Sequence, residues 1–245
     1  MYFVCVRVEN SEFYLGIETS GLSGSVAVYR PGQQITQIEL SQQGRKHAQT
    51  LVAEVKHILE RLDITTRQIT GAGVSRGPGS FTGLRIGITF AKTFGYVTGC
   101  PVIGIDTFEA IAMNSPSDIS ETWVISNAQR GDLFVGKYRK TGERCWQNTA
   151  EIGLRSIEEF VKSLQPDDTV SGPGIALLPE DFQSAPRLLT EEFRTPQAAE
   201  VAEITANTLQ KNAANQPPLN EVWDLIPFYL RKSAAEEKWD AQHQS

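Results

Sequence analysis

Residues 71–95 read GAGVSRGPGSFTGLRIGITFAKTFG, and this stretch decides the fold. An apolar run ends at Val74 and is followed by Gly77, Pro78 and Gly79. Proline fixes φ and glycine takes positive φ without a Cβ clash, so a sharp turn is expected. Ser80 is then the expected N-cap of a long helix. A strand, a glycine turn and a helix start aim free N–H groups at one point, where an anion can sit. Gly83, Gly87, Ala91 and Gly95 recur every four residues and line one face of the helix. An interior glycine costs about 1 kcal/mol relative to alanine, so the stripe predicts close approach by another backbone.

Moving outward on the N-terminal side, FYLGIE (13–18), SVAVY (25–29) and 34–40 read as strands joined by short polar turns, an antiparallel meander. Residues 45–62 give the clearest helix, with Ala48, Leu51, Val52, Val55, Ile58, Leu59 and Leu62 at three- and four-residue spacings. Beyond the glycine helix (80–97), Pro101–Ile105 reads as a strand and Thr107–Met113 as a short helix. Hairpin strands followed by helix–strand–helix–strand make a mixed sheet with helices packed on it. The segment NSPSD (114–118) is the expected boundary, dividing the chain into 1–114, with an extension at 1–12, and a smaller unit at 115–245 that ends in a polar tail. After it the pattern restarts. Strands are expected at 122–126, 133–138 and 145–152, and a helix over 156–164 with Glu158 and Glu159 in its first turn. A second strand with a glycine turn follows at Thr169–Gly174, then a helix from Thr195-Pro196 to Lys211, with Thr195 as N-cap and Pro196 at N1.

The 245 residues are 40% apolar and carry a net charge of −6. That is a poor footprint for a chain that grips nucleic acid alone, since neutralising phosphates needs a basic face. Cys5, Cys100 and Cys145 are odd in number and far apart, with no CxxC, which argues against a disulfide framework or a zinc knuckle. The opening MYFVCVRVENSE lacks a signal peptide's apolar core, and no apolar stretch reaches the roughly 18 residues of a bilayer span. A cytoplasmic protein without a membrane partner is expected.

YLGIETSGLSGSVAVY (14–29), GRKHAQTLV (44–52), VSRGPGSFTGLRIGI (74–88) and PVIGIDTFEAIA (101–112) occur in that order. Together they resemble the TsaB (formerly YeaZ) family, bacterial partners of the tRNA threonylcarbamoyladenosine synthase subunit TsaD. The second half resembles it more loosely, through NAQRGDLFVGKY (127–138) and PFYLRKSAA (227–235). The resemblance implies an α/β fold of two ribonuclease-H-like (actin-like ATPase) domains with mixed sheets flanked by helices, as in the actin, Hsp70 and sugar-kinase superfamily. It implies a noncatalytic scaffold and activator in a complex with TsaD and TsaE that places threonylcarbamoyl on N6 of adenosine 37 of ANN-decoding tRNAs. It further implies indirect tRNA contact through the complex, and a homodimer when TsaD is absent. The alternative from another class is an autonomous actin-like ATPase or M22-type peptidase.

TsaD-like subunits hold a metal through an HxxxH pair just after the strand matching Pro101–Ile105. Here that segment is GIDTFEAIA, without histidine. His47 and His57 fall roughly 80° apart around a helix, so they do not easily share an ion. No metal site and no catalytic residue is expected. The family's Asp-Thr at the end of the first strand is Glu18-Thr19, and its Asp-Ala-Arg is Asn127-Ala128-Gln129. The resemblance places nucleotide or phosphate contact at Glu18, Thr19, Ser20, Gly77, Gly79, Ser80, Gly172 and Gly174. ATP or ADP with Mg²⁺ would then sit at a partner interface without being required by this chain. Each motif has a plainer reading: Glu18 caps turn amides, the glycine loops serve tight turns, and Ser80 is an N-cap rather than a nucleophile. Apolar or small residues cover most of the circumference of the glycine helix, which predicts burial on two sides. The resulting interface reading assigns Leu51, Val55 and Ile58 of the first helix and Gly83, Leu84, Gly87, Ile88, Ala91 and Gly95 of the second to the TsaD contact. On that reading Gly87→Arg breaks the association and spares the fold.

Overall fold

The computed structural model describes residues 12–33, 35–40, 47–179, 182, 186–212, 219–231 and 239. The expected extension apart from Glu12, the helix start at 45–46 and the tail from Ser233 apart from Trp239 lie outside them.

Two five-stranded mixed sheets form the frame. The first contains β1 (Phe13–Glu18), β2 (Ser25–Tyr29), β3 (Thr36–Glu39), β4 (Ile69–Gly77) and β5 (Val102–Asp106), in the order β3-β2-β1-β4-β5. The first three pair antiparallel, and β4 and β5 join in parallel. The second contains β6 (Glu121–Asn127), β7 (Asp132–Gly142), β8 (Cys145–Ser156), β9 (Thr169–Ser171) and β10 (Arg187–Leu188), in the order β10-β9-β6-β7-β8. Its first three strands again form a meander, and β9 and β10 add in parallel. The same order and sense of pairing therefore occur twice, as a duplicated ribonuclease-H-like unit requires.

Among the described residues the sheets are covered by α1 (His47–Arg61), α2 (Phe81–Thr98), α3 (Thr107–Met113), α4 (Ile157–Ser163) and α5 (Ala198–Lys211). α1 and α2 bury Leu51, Val55, Ile58, Ile88 and Ala91 against Leu15, Ile17, Val26 and Val74 of the first sheet. α5 covers the opposite face of that sheet, although it follows the second sheet in sequence. It approaches so closely that a Cβ on Gly16 would meet the Ala198 carbonyl at 2.1 Å, and one on Gly73 would meet Thr205 Oγ1 at 1.8 Å. α3, from the first half, sends Phe108 and Ile111 into the core of the second sheet with Val124, Tyr138 and Trp146. The 114–118 segment thus separates the sheets but not the helices, which cross between halves.

Helix termini follow the sequence with one exception. Ser80 caps α2 by accepting from Gly83 N, and Ser156 and Glu159 form a reciprocal capping box on α4. α5 starts at Ala198 after Gln197 rather than at Thr195-Pro196. Its first amides are fixed from the first sheet: Ala198 N donates to Ser25 Oγ (3.0 Å) and Ala199 N to Gln37 Oε1 (2.9 Å). Tertiary partners therefore replace the expected Thr195 cap.

Candidate functional site

The end of β1, the end of β4 and the start of α2 meet at the 77–80 loop. Glu18 is fully buried there. Its Oε1 accepts from Ser20 N (2.5 Å) and Ser20 Oγ (2.6 Å), and the Ser75 hydroxyl donates to Oε2. Burial pushes the Glu18 carboxyl above its ordinary range, while the hydrogen bonds from Ser20 and Ser75 pull the other way. Thr19 Oγ1 donates to the Gly83 carbonyl at 2.8 Å, and Ser80 N to the Ser20 carbonyl at 2.7 Å. Gly77 N donates to Thr107 Oγ1 (3.1 Å). The loop is bolted to the β1–β2 turn.

This geometry tests the expected phosphate contact. Both oxygens of Glu18 are engaged, as are the amides of Ser20, Gly77, Ser80 and Gly83. A Cβ on Gly79 would lie 2.7 Å from that of Ser20, so the glycine serves contact between two loops. In the second half, Gly172 (φ 101°) and Gly174 open a 3₁₀ turn laid on β6, where their Cβ atoms would meet Ile125 O at 2.2 Å and Ile125 C at 2.9 Å. The donors and small residues expected to cradle a nucleotide and Mg²⁺ are engaged within the chain in this structure. Glu18 does cap turn amides, and Ser80 is an N-cap.

The expected interface residues need correction. A Cβ on Gly83 would stand 1.9 Å from the Thr19 carbonyl, one on Gly87 2.3 Å from Thr19 Oγ1, and one on Gly95 2.4 Å from Val102 Cγ2. The backbone that the stripe approaches is the chain's own first sheet. Leu84, Ile88 and Ala91 are buried with it, as are Leu51, Val55 and Ile58 of α1. In the single chain these side chains face its own core, and Gly87→Arg would drive a long side chain into Thr19 and damage the fold.

Burial on the second side of α2 is also internal in part. Residues 219–231 run across it as a strap, opening with a 3₁₀ turn (Leu219–Asp224). Val222 and Leu225 enter the first core. Phe228 N donates to the Arg76 carbonyl (2.7 Å). Tyr229 stacks on Phe81 with centroids 4.6 Å apart and accepts from Arg85 Nε, and the Arg85 guanidinium lies 3.9 Å over the Phe81 ring. Arg231 then grips the β6–β7 turn, donating to the carbonyls of Ala128 (2.5 Å) and Gln129 (3.0 Å) and to Asp132 Oδ2 (2.6 Å). In that turn Asn127 Oδ1 accepts from Gln129 N at 2.7 Å, a local role for the residue replacing the family's aspartate.

The C-terminal end of α2 and the strap expose apolar side chains outward. Tyr96 and Val97 are 72% and 75% exposed, and Trp223 and Ile226 are 57% and 69% exposed. Tyr96 packs against Trp223 with centroids 5.8 Å apart. Sequence reading missed these residues because the stripe drew attention to the opposite face. The signal was present: Tyr96 and Val97 break the polar side of an amphipathic helix, and VWDLIPFYL (222–230) is too apolar for a solvated loop.

Where TsaD-like chains carry metal-binding histidines, Asp106 caps α3 by accepting from Phe108 N (2.9 Å) and takes a hydrogen bond from the Tyr138 hydroxyl. Burial raises the Asp106 carboxyl. Burial and the nearby Asp106 charge push Glu109 up to about 7. Among the described residues no three His, Cys, Asp or Glu side chains gather as a metal site, and no helix is long and apolar enough to cross a membrane.

The duplicated sheet order and crossed helices define the class, an α/β protein of two mixed five-stranded sheets flanked by helices. The family model described as TsaD, tRNA N6-adenosine threonylcarbamoyltransferase, matches residues 34–239. The chain is 33% identical over 235 residues to the tRNA threonylcarbamoyladenosine biosynthesis protein TsaB of Haemophilus influenzae, covering 91% of this chain and 95% of that one. It is 26% identical over 231 residues to TsaB of Bacillus subtilis, covering 92% and 96%. Among solved structures, YeaZ from Pseudomonas aeruginosa superposes with a TM-score of 0.72 at 19% identity, over 89% of this chain and all of that one. The chain belongs to the TsaB (YeaZ) family.

Proposed function

We propose that this chain is a noncatalytic scaffold subunit that activates a TsaD-type subunit in placing threonylcarbamoyl on N6 of adenosine 37 of ANN-decoding tRNAs. The observation that carries this reading is the exposed apolar surface of Tyr96, Val97, Trp223 and Ile226. Large aromatics grouped in the open on a stable helix mark a protein contact. The internally engaged Glu18 and Ser80 loop supports the noncatalytic half of the reading, because its hydrogen bonds hold the fold rather than face a substrate. The interface then lies on the outward side of α2 and the strap, not on the glycine stripe. The same face serves a second copy of the chain when the partner is missing.

TsaE joins through the resulting pair. The net charge of −6 leaves the grip on tRNA to the partners, and nucleotide and Mg²⁺ chemistry falls on the partner side of the contact. The test is co-elution on size exclusion of the TsaD-type chain with wild type, Tyr96→Asp and Val97→Asp. The variants are expected to fold and to lose at least tenfold in affinity. Undiminished co-elution of both variants overturns the site.

A further inference from the structure

The hairpin joining β7 to β8 holds a thiol against an amine of α5, the helix that covers the first sheet. Cys145, the first residue of β8, pairs across the turn with Gly142. Lys211 lies in the last turn of α5, which packs on the first sheet. Lys211 Nζ donates to Cys145 Sγ at 3.7 Å. The contact is framed on both sides. Arg144, the preceding residue, clasps Glu203 of α5 through Nη2 (2.6 Å) and Nε (3.0 Å) and reaches the Met113 carbonyl through Nη1 (3.4 Å). Thr141 Oγ1 donates to the Cys145 carbonyl at 3.4 Å. The cysteine has a single side-chain torsion on a fixed backbone, and the long lysine stem supplies the remaining reach. Cys145 is a free, partly exposed thiol. Cys100 is sealed at 5% exposure, and burial pushes its thiol up, so it serves as an inert reference.

We propose that Cys145 and Lys211 form a reversible oxidative crosslink between the second sheet and the helix packed on the first, with hydrogen peroxide as the oxidant. The Cys145 thiolate attacks one peroxide oxygen. An S–O bond forms and the O–O bond breaks, leaving a sulfenic acid and a hydroxide, which takes up the proton that the thiol gave up on ionising and departs as water. The Lys211 amine then attacks the electrophilic sulfur. An S–N bond forms, the S–O bond breaks, and the hydroxyl leaves with a proton from nitrogen as a second water. The pair loses two hydrogens overall and becomes a sulfenamide, and a thiol attacking sulfur restores both side chains. The link ties the β7–β8 hairpin to the helix on the first sheet.

The experiment treats the full chain with dilute hydrogen peroxide, digests it and sequences the peptides by tandem mass spectrometry. The expected product joins the Cys145 and Lys211 peptides at a mass two hydrogens below their sum. It disappears after dithiothreitol and is absent from Cys145→Ser and Lys211→Arg. Arginine keeps the charge but cannot capture the sulfur, so dimedone labelling of Cys145 rises several-fold in Lys211→Arg. Equal dimedone labelling of both proteins with no joined peptide, or a Cys145 left unmodified by peroxide, overturns the proposal.

Discussion

The two halves of this molecule repeat one strand order but dress it differently. In the first, the third strand leads to a 15-residue helix, α1, and the fourth to the 18-residue α2. At the matching places the second half has the 7-residue α4 and a five-residue 3₁₀ turn, Pro173–Leu177. Both halves nonetheless place glycines where an element crosses the end of a strand: Gly83 and Gly87 over Thr19, and Gly172 and Gly174 over Ile125. The shared feature is close approach to the chain's own backbone. The difference is what lies outside it: in the first half a long helix ends in the exposed Tyr96 and Val97. A glycine pattern that resembles a ligand loop is thus matched by close packing in both halves.

The largest effect should separate the two close approaches. Gly83→Val puts a branched side chain on the Thr19 carbonyl and is expected to prevent folding, seen as loss of cooperative unfolding by circular dichroism. Gly83→Ala should cost at least about 3 kcal/mol in urea titration, because the backbone on both sides is fixed. Gly174→Ala meets Ile125 and Ser126 backbone atoms at 2.9–3.0 Å and should cost less, about 1–2 kcal/mol. Equal costs would remove the distinction between a helix and a turn at this place.

The strap is the bond between the halves that the duplication does not supply. Arg231→Ala removes three hydrogen bonds to the β6–β7 turn, one of them to a carboxylate. About 2 kcal/mol of lost stability is expected, with faster amide exchange at residues 127–132. Unchanged exchange there would show that the turn holds itself.

The junction between the sheets should also respond to pH. Glu109 is raised from 4.5 to about 7, first by burial and then by the Asp106 charge, with Lys211 opposing. Its folded pKa lies above its unfolded value, so the protonated form favours folding. That contribution is complete below about pH 4.5 and is lost as pH rises to about 7. Glu109→Gln should flatten the stability profile over that window, by about 1–2 kcal/mol since the group is partly exposed. An identical slope in the variant would remove Glu109 as its source. The smallest effect is expected at Ser80→Ala, about 1 kcal/mol, as a lost N-cap on α2. A collapse of TsaD-partner activity with stability intact would instead make Ser80 more than a cap.

Much of the fold was legible along the chain. Alternation marked the meander strands, three- and four-residue spacing marked α1, and Ser80 and Ser156 announced their helices. The start of α5 was not legible. Thr195-Pro196 has the local chemistry of a helix start, but Ser25 and Gln37, over 150 residues away in sequence, fix the first amides. The acidic and glycine-rich site residues were legible as a cluster but not in their roles. A sequence shows that Glu18 follows a strand and Gly77 precedes a helix. It does not show that Ser20 and Ser75 occupy the carboxylate.

The sequence by itself determined the family, the two repeated sheets and the need for a close backbone contact along α2, because periodicity and glycine spacing are local properties. Only the tertiary structure decided which backbone answers that need, which face of α2 remains open, and that α3 and α5 cross between halves. Those outcomes depend on burial and on hydrogen-bond partners distant in sequence, and short-range pattern carries no record of them.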